Sequence, residues 1–77
     1  MTIFDLKWLP ASIGEGMVAV HEYENGITAD LRFEHDAYNF TSFRSDRRVL
    51  ENRQGLSREE VNRLLSATCA RGAFNRA

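Results

Sequence analysis

The amino-acid sequence predicts an α+β fold, in which a three- to four-stranded antiparallel sheet packs one face against a single C-terminal helix. Three observations predict it. Residues 17–34 alternate in polarity on both sides of an Asn-Gly pair, residues 38–44 are rich in aromatic and β-branched side chains, and residues 57–71 carry apolar side chains at helical spacing. A one-sided sheet and an amphipathic helix bury their apolar surfaces by packing in two layers. We expect residues 1–77 to form one domain.

Residues 2–9 are predicted to form the first strand, because Phe4, Leu6 and Trp8 alternate onto one face. Pro10 should end this strand, since proline cannot donate a hydrogen bond to a neighbouring strand. Residues 11–16 contain two glycines, which supply unusual backbone angles, and are expected to be a loop.

Residues 17–34 are predicted to form a β-hairpin closed by Asn25-Gly26, because these residue types tolerate the positive φ angles of a type I′ turn. A two-residue loop at this position puts His21 directly opposite Asp30. The face that the helix should cover then carries Val18, Val20, Ile27, Ala29, Leu31 and Phe33. The opposite face carries Ala19, His21, Tyr23, Thr28, Asp30 and Arg32. This second face should stay open, and the hairpin tip should project beyond the helix.

The composition of residues 38–44 predicts a further strand. Residues 45–55 are ambiguous. Ser45 or Asp46 could cap a short helix in this segment, and residues 47–50 could instead form a short edge strand. We favour an irregular loop.

Residues 57–71 carry the strongest helix signals in the chain. Ser57 and Glu60 have the spacing of a capping box, and Leu56 and Val61 have the spacing of a hydrophobic staple. The apolar stripe of this helix consists of Val61, Leu64, Leu65, Thr68 and Cys69. Because Cys69 belongs to the stripe, we expect its thiol to be buried and inert.

The composition excludes several classes of protein. One cysteine cannot build a disulfide framework or a multi-cysteine zinc site, and we expect neither a metal nor another cofactor. No apolar run is long enough to span a membrane, and the N-terminal residues lack the features of a signal peptide. A cytoplasmic protein with no membrane partner is the resulting expectation.

Catalysis is a weaker hypothesis than binding. The cross-strand pair of His21 and Asp30 resembles an acid–base dyad, but such pairs also simply stabilise sheets. A single sheet layer offers no deep cleft that excludes water, so we favour the structural interpretation. His35-Asp36 lacks further metal ligands at useful spacing. We therefore predict that the protein is not an enzyme.

A protein partner is the favoured hypothesis, because the open face, the hairpin tip and the arginine-bearing loop form a mixed-charge surface. Tyrosine and arginine are enriched among the residues that dominate binding at interfaces. The predicted partner-binding residues are Glu22, Tyr23, Glu24, Asp30, Arg32, Arg44, Arg47 and Arg48. An uncovered sheet face and free strand edges also favour pairing with a second copy of the chain. We expect a homodimer and a monomer equally.

Nucleic-acid binding is the alternative. Residues 44–53 contain four arginines, and Tyr38, Phe40 and Phe43 precede or border them, as in surfaces that stack bases and hold phosphates. Against this, the chain carries a net charge of −1, and Asp46 and Glu51 interrupt the arginines. The charge is divided along the chain, with seven acids against two bases in residues 1–36 and eight arginines against four acids in residues 37–77.

In size and plan, with a hairpin-rich first half and a single helix, the chain resembles the small inhibitors of phages and mobile elements, among them anti-CRISPR proteins. This resemblance implies a non-enzymatic inhibitor that covers a surface of a host nuclease or defence complex. It also implies that acidic residues can stand in for DNA phosphates. The candidates for that part are Glu22, Glu24, Asp30, Glu34 and Asp36.

Overall fold

The computed structural model describes the backbone of residues 1–74 and the side chains of residues 1–70. It contains one short 3₁₀ turn, five strands and one α-helix. In chain order these are the turn Ile3–Asp5, β1 Leu9–Pro10, β2 Met17–Glu22, β3 Ile27–Glu34, β4 Ala37–Arg44, β5 Val49–Leu56 and α1 Arg58–Phe74. All strand pairs are antiparallel, and the strands lie side by side in chain order.

The fold is α+β with one C-terminal helix, as predicted, but the sheet has five strands rather than three or four. The additional strand is β5, which forms where an irregular segment was expected over residues 45–55. It is irregular in one respect, because its pairing with β4 shifts register twice, between Tyr38 and Phe40 and between Ser42 and Phe43. Such bulges twist an edge strand and hinder pairing with other chains.

The prediction of a strand over residues 2–9 is wrong. This segment begins with a 3₁₀ turn, in which the Thr2 hydroxyl accepts a hydrogen bond from the Phe4 N–H at 3.3 Å and the Asp5 carboxylate accepts one from the Thr2 N–H at 2.8 Å. The turn buries Ile3 and Leu6 and leaves Phe4 75% exposed. Only the last two residues before the loop, Leu9 and Pro10, pair with β2.

The hairpin of β2 and β3 forms, but its loop has three residues rather than two. The Tyr23 N–H donates to the Ile27 carbonyl at 2.8 Å, and the Gly26 N–H donates to the Tyr23 carbonyl at 3.1 Å. Gly26 has φ +85°, whereas Asn25 keeps a negative φ. This is a type I turn followed by a left-handed glycine, the usual three-residue alternative to type I′.

The longer loop shifts the predicted register by one residue. Val20 lies opposite Asp30, and His21 lies opposite Ala29. A one-residue shift moves every side chain of one strand to the other face. Val18 and Val20 therefore face away from the helix, in contradiction to the prediction, and Ala19 and Tyr23 are buried beneath it.

The two-residue turn with positive φ angles occurs instead between β3 and β4. His35 and Asp36 have φ angles of 53° and 61°, as a type I′ turn requires. The turn between β4 and β5 repeats the geometry of the hairpin tip: the Arg44 N–H donates to the Arg48 carbonyl at 3.0 Å, and Arg47 takes the left-handed position at φ 68°.

The helix begins as predicted and extends three residues beyond the predicted end at residue 71. The Ser57 hydroxyl accepts a hydrogen bond from the Glu60 N–H at 3.2 Å, and the Glu60 carboxylate accepts one from the Ser57 N–H at 3.1 Å. The helix packs across β3 and β4. The core beneath it consists of Ile3, Leu6, Ala19, Tyr23, Ile27, Ala29, Leu31, Phe40, Leu56, Val61 and Leu65. Cys69, predicted to be buried, is exposed.

Candidate binding surface on the open face of the sheet

The face of the sheet opposite the helix is covered by no other element of the part of the chain that the structure describes. Its composition follows from the register, because directly paired residues share a face. One row across the sheet consists of Glu22, Thr28, Phe43 and Val49, the next of Val20, Asp30, Thr41 and Asn52, and the third begins with Val18, Arg32 and Asn39. We call this surface the open face. Its centre is polar, and Val20 and Val49 expose 62% and 58% of their surface beside that centre.

The second and third rows enclose a shallow depression of about 380 Å³. Its lining residues are Val18, Asp30, Arg32, Asn39, Thr41, Asn52 and Gln54. Three of these carry carboxamides, one carries a hydroxyl and one carries a carboxylate. We call this feature the Asp30 depression.

Asp30 is the acidic residue of the depression, and it lies on the central strand of the sheet, β3. Within residues 1–70 its carboxylate has neither an ion-pair partner nor a hydrogen-bond donor. Burial raises the pKa of Asp30, because partial removal from water disfavours the ionised form. The Asp30 carboxylate thus forms no ion pair with the described side chains, although Arg32 lines the same depression.

Arg32 lines the same depression, but its guanidinium is already bound. Its Nη2 donates to the carbonyl oxygens of Ile13 and Glu15 at 3.0 and 3.1 Å, and its Nε lies 3.2 Å from the Glu34 carboxylate. These contacts hold the loop between β1 and β2 against the end of β3. The same loop approaches β3 so closely at Gly16, with φ +103°, that a Cβ there would collide with the Phe33 carbonyl.

Tyr23, predicted on the open face, lies beneath the helix. Its hydroxyl donates a hydrogen bond to the Leu65 carbonyl at 3.0 Å, and its ring packs edge-on against His21 at 4.6 Å between ring centroids. Burial, followed by the nearby Cys69 thiol, raises the pKa of Tyr23 to about 12. Tyr23 therefore connects the hairpin to the helix, and its side chain is not part of the open face.

Replacing Tyr23 by Phe should lower the free energy of unfolding by about 1 kcal/mol at neutral pH, because the Leu65 carbonyl loses a buried hydrogen bond. The wild-type protein should also lose up to about 2 kcal/mol between pH 10 and pH 12, since the unfolded tyrosine ionises first and draws the equilibrium towards the unfolded state. Denaturant titration across this pH range measures both effects. Tyr23→Phe should lack the alkaline loss, and Tyr38→Phe, the matched control, should retain it. An alkaline loss that persists in Tyr23→Phe would contradict the assignment.

The predicted pairing of His21 with Asp30 does not occur. Because His21 is opposite Ala29, its ring is on the helix side of the sheet, and the Asp30 carboxylate is on the open face. The two groups therefore cannot act on the same bound molecule, and the acid–base dyad considered from the sequence has no structural basis.

The hairpin tip does not project past the helix. The Asn25 side-chain Nδ2 donates to the carbonyl oxygens of Thr68 and Cys69 at 2.9 and 3.3 Å, which holds the tip against the last part of the helix. Glu24 is exposed at this tip, and Glu22 is exposed on the open face. Of the predicted acidic contacts, Glu22 and Asp30 share a surface, while Glu24 lies beyond its edge.

The predicted arginine contacts are separated from the centre of the open face. Arg47 and Arg48 are exposed in the turn between β4 and β5, and Arg44 shares the helix side with Ile27, which it pairs with. The aromatic side chains do not interleave with them. Phe40 is completely buried, and Tyr38 packs against Trp8 and Phe33.

A second cavity, of about 310 Å³, lies on the helix side near the N-terminal turn. Its lining is apolar and consists of Ile3, Phe4, Trp8, Met17, Phe33 and Tyr38. The Trp8 Nε1 donates to the Ile3 carbonyl at 2.8 Å, which orients the indole along the cavity wall. This cavity and the Asp30 depression occupy opposite sides of the sheet.

Five residues of the Asp30 depression were not among the predicted site residues, namely Val18, Asn39, Thr41, Asn52 and Gln54. Two of them belong to β5, which was not predicted as a strand. No local signal marked these two, because residues 51–54 are all polar and show no alternation of apolar and polar side chains. Asn39 and Thr41 were in a predicted strand. The polar character of their face becomes evident only once the strands on both sides of β4 are known.

In residues 1–70, no three side chains of His, Cys, Asp or Glu lie close enough together to hold a metal ion. Within the described range, no helix combines the length and the apolar character needed to cross a membrane. Comparisons with protein families, with curated proteins and with solved structures found nothing that matches this chain.

Proposed function

We propose that the protein is a non-enzymatic binding protein that acts in the cytoplasm of a host cell and inhibits a host protein or nucleoprotein complex by covering part of its surface. The open face is the contact surface. The observation that carries this proposal is that a sheet face four strands wide combines exposed valines with an uncompensated carboxylate. Apolar contacts around a few polar groups are the usual composition of a protein interface.

The charge on the open face supports a basic partner surface. Glu22 and Asp30 are exposed on it, whereas Arg32 is engaged by Glu34 and by the loop carbonyls. Complementary charge across an interface accelerates association and disfavours wrong partners. A surface that normally binds nucleic acid has the required positive charge, and its occlusion would inhibit a nuclease without any chemical step.

A matched pair of variants tests this function. Val20→Arg places a bulky cation opposite Asp30, and we expect capture of the partner from host lysate, and affinity for that partner once purified, to fall at least about tenfold. Ala67→Arg places the same side chain on the exposed side of the helix and should bind like the wild type. Titration calorimetry with the purified partner measures both.

Equal affinity of the wild type and Val20→Arg would refute the assignment of the open face. Loss of binding in Ala67→Arg alone would place the contact surface on the helix instead. Nuclease treatment of the lysate before capture separates a protein contact from one through nucleic acid, because a direct protein contact survives the treatment.

A further inference from the structure

We propose that the Asp30 depression is a receptor for the guanidinium group of an arginine side chain on the protein partner. This inference rests on the proposed function and names the chemistry of the partner at its point of contact. It follows from the charges, the hydrogen-bond acceptors and the apolar surface that surround Asp30.

The charge of the Asp30 carboxylate is unbalanced. The Asp30 carboxylate has no cation within ion-pair distance among the described side chains, and Arg32, the cationic residue of the lining, is held by Ile13, Glu15 and Glu34. An incoming cation would therefore meet a partly desolvated carboxylate without competition. An incoming anion would be repelled by the same group.

Three side chains with hydrogen-bond acceptors lie in a row across the depression. Asp30, Thr41 and Asn52 are directly paired on three neighbouring strands, so their side chains form one line across the depression. Adjacent strands are about 4.8 Å apart, so the line is about 10 Å long. In residues 1–70 none of these three side chains has a hydrogen-bond partner. A guanidinium has five N–H donors in a planar fork and no acceptor, so it can bind two neighbouring acceptors of this row at once.

Apolar surface lies beside these acceptors. Val20 lies directly opposite Asp30 and is 62% exposed, and Val18 lines the depression. Long cationic side chains bury their methylene groups along apolar surface while the charged group stays polar. The volume of about 380 Å³ falls within the range of sites for small ligands.

The experiment uses N-acetyl-arginine amide as the probe and follows the backbone and side-chain amide resonances of the isotopically labelled protein by NMR. We expect saturable shifts confined to Asp30, Thr41, Asn52 and their neighbours, with a dissociation constant in the millimolar range. N-acetyl-citrulline amide, a neutral isostere, should cause no saturable shift. N-acetyl-lysine amide should bind at least about threefold more weakly, because an ammonium cannot make the two parallel hydrogen bonds that a guanidinium makes with a carboxylate.

Two variants test the residues. Asp30→Asn should weaken the arginine probe at least about fivefold, and Thr41→Val should weaken it about twofold while retaining the carboxylate. Glu59→Gln removes one negative charge from the exposed side of the helix and should leave the titration unchanged. The unperturbed resonances of each variant show that it is folded.

No saturable shift up to about 50 mM probe would overturn the proposal. Equal shifts with the citrulline or the lysine probe, or an unchanged affinity in Asp30→Asn, would overturn it as well. These outcomes are separate from the test of the proposed function. If Val20→Arg loses the partner but the probe does not bind, only the arginine receptor fails. If Val20→Arg keeps the partner, the open face fails as the contact surface, and a probe that still binds then marks a guanidinium site that the partner does not use.

Discussion

Replacing Ala19 by Asp should unfold the protein, whereas replacing its neighbour Val20 by Asp should leave the fold intact. Ala19 is 2% exposed beneath the helix, and its substitution would bury a carboxylate with no cation beside it. An uncompensated buried charge destabilises a protein by about 3–5 kcal/mol, much of the total stability of a domain this small. Val20 is 62% exposed on the open face, where a carboxylate remains hydrated. Circular dichroism and thermal unfolding of the two variants measure the difference.

The pair of variants also discriminates between two registers of the hairpin. If Asn25 and Gly26 formed a two-residue loop, position 20 would be buried and position 19 exposed, and the result would be reversed. Intact folding of Ala19→Asp together with loss of folding in Val20→Asp would therefore contradict the register described above. Val20→Thr and Ala19→Ser serve as small, uncharged controls.

The sequence could not determine the register because β2 is apolar on both faces. Val18 and Val20 lie on one side of this strand, and Met17, Ala19 and Tyr23 lie on the other, so hydrophobic patterning allows either side to face the core. β3 has no such ambiguity, since Ile27, Ala29, Leu31 and Phe33 alternate with polar residues. For this reason Asp30 and Arg32 were placed correctly on the open face, while Tyr23 and His21 were not.

Local signals predicted the helix well and its buried stripe less well. Ser57 and Glu60 are three residues apart in the chain, so their reciprocal hydrogen bonds depend on nothing distant. At 100° per residue, Cys69 lies about 80° around the helix from the buried Val61 and about 40° from the buried Leu65. This position lies at the margin of a stripe, and only the neighbouring elements decide whether such a position is covered.

The N-terminal turn and the hairpin tip depend on contacts between distant residues. The Ile3 N–H donates to the Asn62 side chain of the helix at 2.9 Å, and Asn25 donates to helix carbonyl oxygens. Neither contact can be recognised from residues that are close together in the sequence, because the partners are 59 and 43 positions apart. An Asn-Gly pair is compatible with both a two-residue and a three-residue loop. In the three-residue loop that forms here, the Asn25 side chain donates to the carbonyl oxygen of Thr68, 43 residues away in the sequence.

Replacing Asn25 by Ala should lower the free energy of unfolding by about 2 kcal/mol, because one side chain makes three hydrogen bonds. Its Oδ1 accepts from the Ile27 N–H at 3.0 Å, and its Nδ2 donates to the carbonyl oxygens of Thr68 and Cys69. Amide hydrogen exchange should accelerate most in the last described turns of the helix and in the hairpin tip. Denaturant titration and exchange measured by NMR test these two expectations.

Asp46→Ala is the matched control, because Asp46 occupies the equivalent position in the turn between β4 and β5. Its Oδ1 accepts from the Arg48 N–H at 3.0 Å, but within residues 1–70 its side chain makes no hydrogen bond to the helix. We expect this variant to lose only about 0.5–1 kcal/mol and to leave helix exchange unchanged. Asn25→Asp keeps the acceptor and removes the donor, so it should resemble Asn25→Ala in exchange. Equal losses in Asn25→Ala and Asp46→Ala would show that the contact of the tip with the helix contributes nothing to stability.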